Sequence, residues 1–95
     1  MNRIELAELF CGDTAWENFV KLTEKSWINF PQKEDLLEQT NGHIDIAKMI
    51  AFRVGLSYNQ WLDYHIPALD NQTPKWCMAH PENINGLKEL LLRMP

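Results

Sequence analysis

A chain of 95 residues with 45% hydrophobic side chains can bury one core and is too short for two domains. Its net charge of -4 disfavours a general affinity for nucleic acid, which needs a basic face. Its two cysteines, Cys11 and Cys77, form no CxxC and are too few for a disulfide framework, so both are expected reduced and buried.

The first predicted element is a short helix over Arg3–Phe10, ended by Gly12. No apolar run approaches the ~20 residues of a membrane span. Met1-Asn2-Arg3 leads into acidic residues rather than a signal peptide. A soluble, cytoplasmic chain is therefore expected. Thr14-Ala15-Trp16-Glu17 reads as a capping box. From it Trp16, Phe19, Val20, Thr23 and Trp27 form one apolar stripe, with Glu17, Lys21, Glu24 and Lys25 opposite. Such a stripe marks a core face before it marks a cofactor box. Phe30-Pro31 breaks the chain, and Pro31 suits the first turn of a helix running to about Thr40. Asn41-Gly42 supplies a left-handed cap.

The next helix, about Ile44 to Val54, differs in kind. At ~100° per residue its apolar positions, Ile44, Ile46, Ala47, Met49, Ile50, Ala51 and Val54, cover more than half its circumference. It is the expected centre of the bundle. Gly55 closes it, and Ser57-Tyr58-Asn59-Gln60 reads as a second capping box opening a helix to about His65, ended by Pro67. Thr73 as N-cap and Pro74 at the first helical position begin another short helix through Ala79. His80-Pro81-Glu82 repeats that logic for a last helix to about Arg93, with His80 a polar cap residue. In it Ile84, Leu87, Leu90, Leu91 and Met94 share a ~120° arc, while Leu92 falls outside, a mild sign of a partner surface. The expected fold is all-α, a compact single domain over 1–95 of about six to seven short helices, with N-terminal helices in 1–42 and the remainder in 43–95.

Chemical motifs are sparse. Cys77-x-x-His80 has zinc-like local spacing, but a structural site needs a second pair, and His43, His65 and Cys11 lie in separate segments. No metal, cofactor or catalytic residue is expected, since phosphate loops and nucleophile motifs are missing. Glu34, Asp35 and Glu38 read as a solvated helix face. Ile50 to Leu56, with Trp61 following, has helix-turn-helix spacing. Its would-be recognition helix contains Asp63 and no Lys or Arg, leaving Arg53 and Lys48 as the nearby phosphate contacts. DNA binding is disfavoured, and a DNA-binding regulator remains the alternative reading.

From about Ile46 to Met94 the chain resembles the C-terminal toxin-binding domain of the Xre/MbcA/ParS antitoxins. The residues that carry the likeness are Trp61-Leu62, Pro67-Ala68-Leu69, Thr73-Pro74 and the final Gly86-Leu87-Lys88-Glu89-Leu90-Leu91. Each also has a structural reason: Trp61 and Leu62 as core anchors, Leu69 tucking the loop under the bundle, Thr73-Pro74 as helix-start chemistry. Asp70-Asn71 stand where the family has Gly-Gly, and both tolerate left-handed backbone. The chain stops at Met94-Pro95, where family members often continue past the last helix. The resemblance implies a bacterial antitoxin, an inhibitor that does no chemistry itself and covers the active-site entrance of an NAD-depleting toxin of the RES type. A phage or host inhibitor would use the same helical surface, and a homo-oligomer stays open. From position and exposure, the expected partner contacts are Trp76, Leu92, Arg93, Met94 and Pro95, with a core role for Trp76 equally open.

Overall fold

The computed structural model describes residues 12–94. The helix expected over Arg3–Phe10, together with Cys11 and Pro95, lies outside the described residues. Seven α-helices follow in order: α1 (Asp13–Leu22), α2 (Glu24–Ile28), α3 (Lys33–Gln39), α4 (Ile44–Arg53), α5 (Tyr58–Leu62), α6 (Pro74–Ala79) and α7 (Ile84–Arg93). Single 3-10 turns at Gly55–Ser57, Pro67–Leu69 and Pro81–Asn83 join the later ones, and the described residues contain no strand. The fold is all-α and a single domain. Its radius of gyration, 12.3 Å, equals the roughly 12 Å of a close-packed chain of this size. Among the described residues no helix is long and apolar enough to cross a membrane.

The apolar breadth of α4 has the expected consequence. Ile46, Ala47, Met49, Ile50 and Ala51 are buried, and α1, α2, α3 and α7 pack around them. Ile44 departs from the expectation, because at the first helical position it lies 47% exposed.

Two terminators behave as the sequence predicts. Asn41 and Gly42 adopt φ 57 and φ 81. The Gly42 N–H donates to the Leu37 carbonyl at 2.9 Å and the Asn41 N–H to Glu38 at 3.0 Å, a Schellman cap on α3. Thr73 Oγ1 accepts the Trp76 N–H at 3.0 Å, with Pro74 in the first turn of α6.

Other boundaries need correction. The stripe from Trp16 to Trp27 is not one helix, because Thr23 interrupts it. The Thr23 hydroxyl donates to the Val20 carbonyl at 2.6 Å, a local bond that competes with helical pairing. Both tryptophans are nevertheless buried, one on each side of the break. Neither capping box forms. Helix α1 starts at Asp13, so Thr14 is already inside it, and Gly12 is the N-cap with no side-chain cap bond. Ser57 ends a 3-10 turn with φ -84 and ψ 11, short of the extended backbone an N-cap side chain needs. Helix α3 begins at Lys33, two residues after Pro31, and α5 stops at Leu62 rather than His65. His80 caps nothing. Its ring folds back onto α6, Nδ1 lying 2.8 Å from the Trp76 carbonyl and the imidazole stacked on the indole at 3.9 Å.

In α7 Leu87 and Leu91 are fully buried, while Ile84, Leu90 and Met94 are half-buried. Glu89 is also buried, which periodicity alone did not flag, and Arg93 Nε meets its Oε2 at 2.5 Å. Leu92 is not an outward-facing leucine. It is half-buried and packed against the core cluster.

Candidate functional site: an apolar groove between α5 and α7

The described residues form a groove of about 430 Å³, lined by Val54, Ser57, Gln60, Trp61, Tyr64, Ile66, Leu90 and Met94. None of these side chains carries a charge. The groove has a size and lining typical of sites that take apolar groups, with a few polar side chains to orient them.

Its walls follow from local rules. In α5, Tyr58 and Leu62 are spaced i,i+4 and both are fully buried, so they define the core face. Trp61, one residue before Leu62, is rotated by ~100° to the edge of that face. It is partly buried, so the expected core anchor packs against the core cluster and also forms a wall of the groove. Tyr64 follows the helix end and is 63% exposed.

Ile66 is held by a rigid loop. Its N–H donates to the Gln72 carbonyl at 3.1 Å, and its carbonyl accepts the N–H groups of Leu69 at 2.9 Å and Asn71 at 3.0 Å. The turn needs two left-handed residues, and Asp70 at φ 61 with Asn71 at φ 62 supply them. Leu69 is fully buried beneath the loop, as the sequence predicts.

The opposite wall is the end of α7, where Leu90 and Met94 are one turn apart. Arg53 fixes that end. Its Nε donates to the Leu91 carbonyl at 3.0 Å and Nη2 to the Leu92 carbonyl at 3.2 Å. A cation on the terminal carbonyls of a helix also matches the helix dipole. The same guanidinium lies 4.7 Å from the Phe19 ring centroid.

Behind α5, on its buried face, the Tyr58 hydroxyl donates to the Asp35 carboxylate, with Gln32 Oε1 2.7 Å away. Burial, and then the Asp35 carboxylate, push the Tyr58 hydroxyl up to about 12. The same hydrogen bond, helped by Gln39, holds the Asp35 carboxyl below its ordinary value. The pair is a polar clasp between α3 and α5, with a phenol that stays neutral at physiological pH.

The expected partner residues are not gathered together. Met94 lines the groove. Arg93 is exposed, beside Glu89. Leu92 is packed against the core, and Trp76 is half-buried against His80. Of the motif residues, Leu62, Leu69 and Pro74 are buried, Thr73 caps α6 and Pro67 opens a 3-10 turn. The sequence reading missed Tyr64, Ile66, Gln60 and Ser57 as groove residues. The usable signal was the Tyr58–Leu62 spacing, which places Trp61, and the chain just after it, off the core face.

No family model, curated protein or solved structure matches this chain. Among the described residues no group of three or more His, Cys, Asp or Glu side chains could hold a metal ion. Where the sequence suggests a helix-turn-helix, α5 has only five residues, about 7.5 Å of helix. The two nearby cations are occupied: Arg53 by the α7 carbonyls and Lys48 by Glu24, at 2.7 Å.

Proposed function

We propose that this chain is a non-enzymatic protein-binding module, an antitoxin that covers the active-site entrance of a RES-type, NAD-depleting toxin in the bacterial cytoplasm. One observation carries the reading. The uncharged groove opens between Trp61, which belongs to the antitoxin-like segment, and the end of the last helix, where partner contacts are expected. A concave apolar surface beside exposed aromatic side chains is where binding energy concentrates in protein interfaces. Of the predicted contacts among the described residues, Met94 is the one that lines this groove, while Arg93, the residue before it, is exposed.

Co-expression with a RES-type toxin encoded beside this chain tests the reading. Rescue of growth and a co-purifying complex are expected. Met94→Asp puts a charge into the groove from the helix terminus and is expected to weaken the complex about tenfold or more, with helicity unchanged. Neither rescue nor complex with the wild-type chain would sink the proposal.

A further inference from the structure

The groove is flanked by side chains shaped to fill a groove like it. Leu56 sits between the lining residues Val54 and Ser57, and lies 65% exposed. Tyr64 is itself a lining residue and 63% exposed. Gly55, at φ 73, turns the chain so that Leu56 is presented outward from a 3-10 turn instead of continuing the buried face of α4. A projecting leucine beside an uncharged concavity is the self-complementary pattern that a two-fold interface requires, since each copy offers the same knob and the same hole.

The charges at the rim point to the same occupant. Arg93 precedes the lining residue Met94, and Asp63 precedes the lining residue Tyr64. Their side chains are 51% and 71% exposed, each beside a partner of its own chain, Glu89 at 2.5 Å and Lys75 at 3.9 Å. A rim of one sign would select a partner of the opposite sign. A rim bearing both signs around a neutral centre suits a second copy, even for a chain of net charge -4.

We propose that the groove is a self-association surface, in which Leu56 of one copy enters the groove of another and the reverse, with Tyr64 at the edge of the contact. The patch is small. A standard interface buries roughly 800 Å² on each partner, and two projecting side chains with one groove supply about half of that. The dimer is therefore weak and exchanges with monomer. Self-association goes beyond the toxin reading and does not rest on it, although both use one groove. It is measured with the purified chain alone, so either can fail while the other stands.

Sedimentation velocity on the full chain, from about 5 to about 500 µM, brackets the dissociation constant expected of so small a contact. The weight-average mass is expected to rise from monomer toward dimer across that range. Leu56→Asp is expected to weaken association at least tenfold with an unchanged far-ultraviolet circular dichroism spectrum. Leu22→Asp, at a leucine 73% exposed and outside the groove lining, is expected to leave it unchanged. A monomer mass throughout the range overturns the proposal. So does equal weakening by Leu22→Asp, which would mean general stickiness. A wild-type chain that stays monomeric, yet loses toxin binding through Leu56→Asp, would give the groove to the partner alone and overturn the dimer as well.

Discussion

Trp16 and Trp61 belong to two regions built on opposite principles. Around Trp16 the helices are pinned across one another. Its Nε1 donates to Asp45 Oδ2 at 2.8 Å, Lys88 Nζ lies 5.4 Å from its ring centroid and 3.7 Å from the same carboxylate, and Lys48 of α4 pairs with Glu24 of α2 at 2.7 Å. Trp27 stacks on Phe30, whose ring meets Tyr58 edge-on at 5.9 Å. Around Trp61 the groove walls are uncharged and the indole is partly exposed, while the bracing runs behind the walls, through Arg53 to the α7 carbonyls and Tyr58 to Asp35. A tryptophan whose N–H has a buried-side acceptor and whose ring is covered serves folding. One that is partly exposed beside a concavity is available to a partner.

Substitution of the two tryptophans is the strongest way to break that contrast. Trp16→Ala is expected to cost about 3–5 kcal/mol, since it opens a cavity and strands the Asp45 contact. Trp61→Ala is expected to cost less, about 2 kcal/mol, because part of its surface is already in water. Urea denaturation of both variants measures the difference, and equal losses would erase the distinction.

Arg53→Gln comes next in size. It removes the donors that hold the last carbonyls of α7, at an expected cost of about 1–2 kcal/mol. Because Leu90 and Met94 hang from that helix end, the effect should concentrate at the groove. Amide hydrogen exchange is expected to accelerate at the end of α7 well before it changes in α4. Uniform acceleration across both helices would assign Arg53 to the core in general.

Tyr58→Phe gives the smallest change at neutral pH, about 1 kcal/mol, since Asp35 is exposed and water replaces the lost donor. Its pH dependence is more telling. A phenol raised from 10.0 to about 12 in the folded state stabilises the fold fully below pH 10.0, and that contribution is lost as pH rises toward about 12. The Asp35 carboxyl is lowered from 3.8, so its contribution is present above that pH and is lost as pH falls through the lower folded value. Denaturation midpoints above pH 10 are expected to fall more steeply for wild type than for Tyr58→Phe. Parallel slopes would exclude the clasp as their source.

Helix identity was legible wherever an apolar pattern or a turn residue acted alone. The wide apolar face of α4, the Asn41-Gly42 cap and the Thr73-Pro74 start all stand as the sequence implies. What failed were features decided by competition. Thr14 and Ser57 have cap chemistry, but the chain had already begun turning at Asp13 and at Gly55, so neither reaches the extended backbone a cap needs. Thr23 lies on a continuous stripe, yet its own hydroxyl bond stops the helix. The groove was illegible for a related reason. Its lining comes from two distant stretches, Val54 to Ile66 and Leu90 to Met94, and only tertiary packing brings them to one concavity. Leu92 shows the converse, because the core wraps further around α7 than the ~120° arc of its other apolar residues.

The Schellman cap on α3 also bears on how long the molecule lasts. Asn-Gly pairs age chemically when the glycine nitrogen attacks the preceding side-chain amide, expelling ammonia and leaving an isomerised backbone. At Asn41-Gly42 that nitrogen has its proton directed at the Leu37 carbonyl, 2.9 Å away. Attack requires the helix end to open first, so the deamidation rate at this exposed dipeptide becomes a clock for local opening, readable as a gain of one mass unit at Asn41.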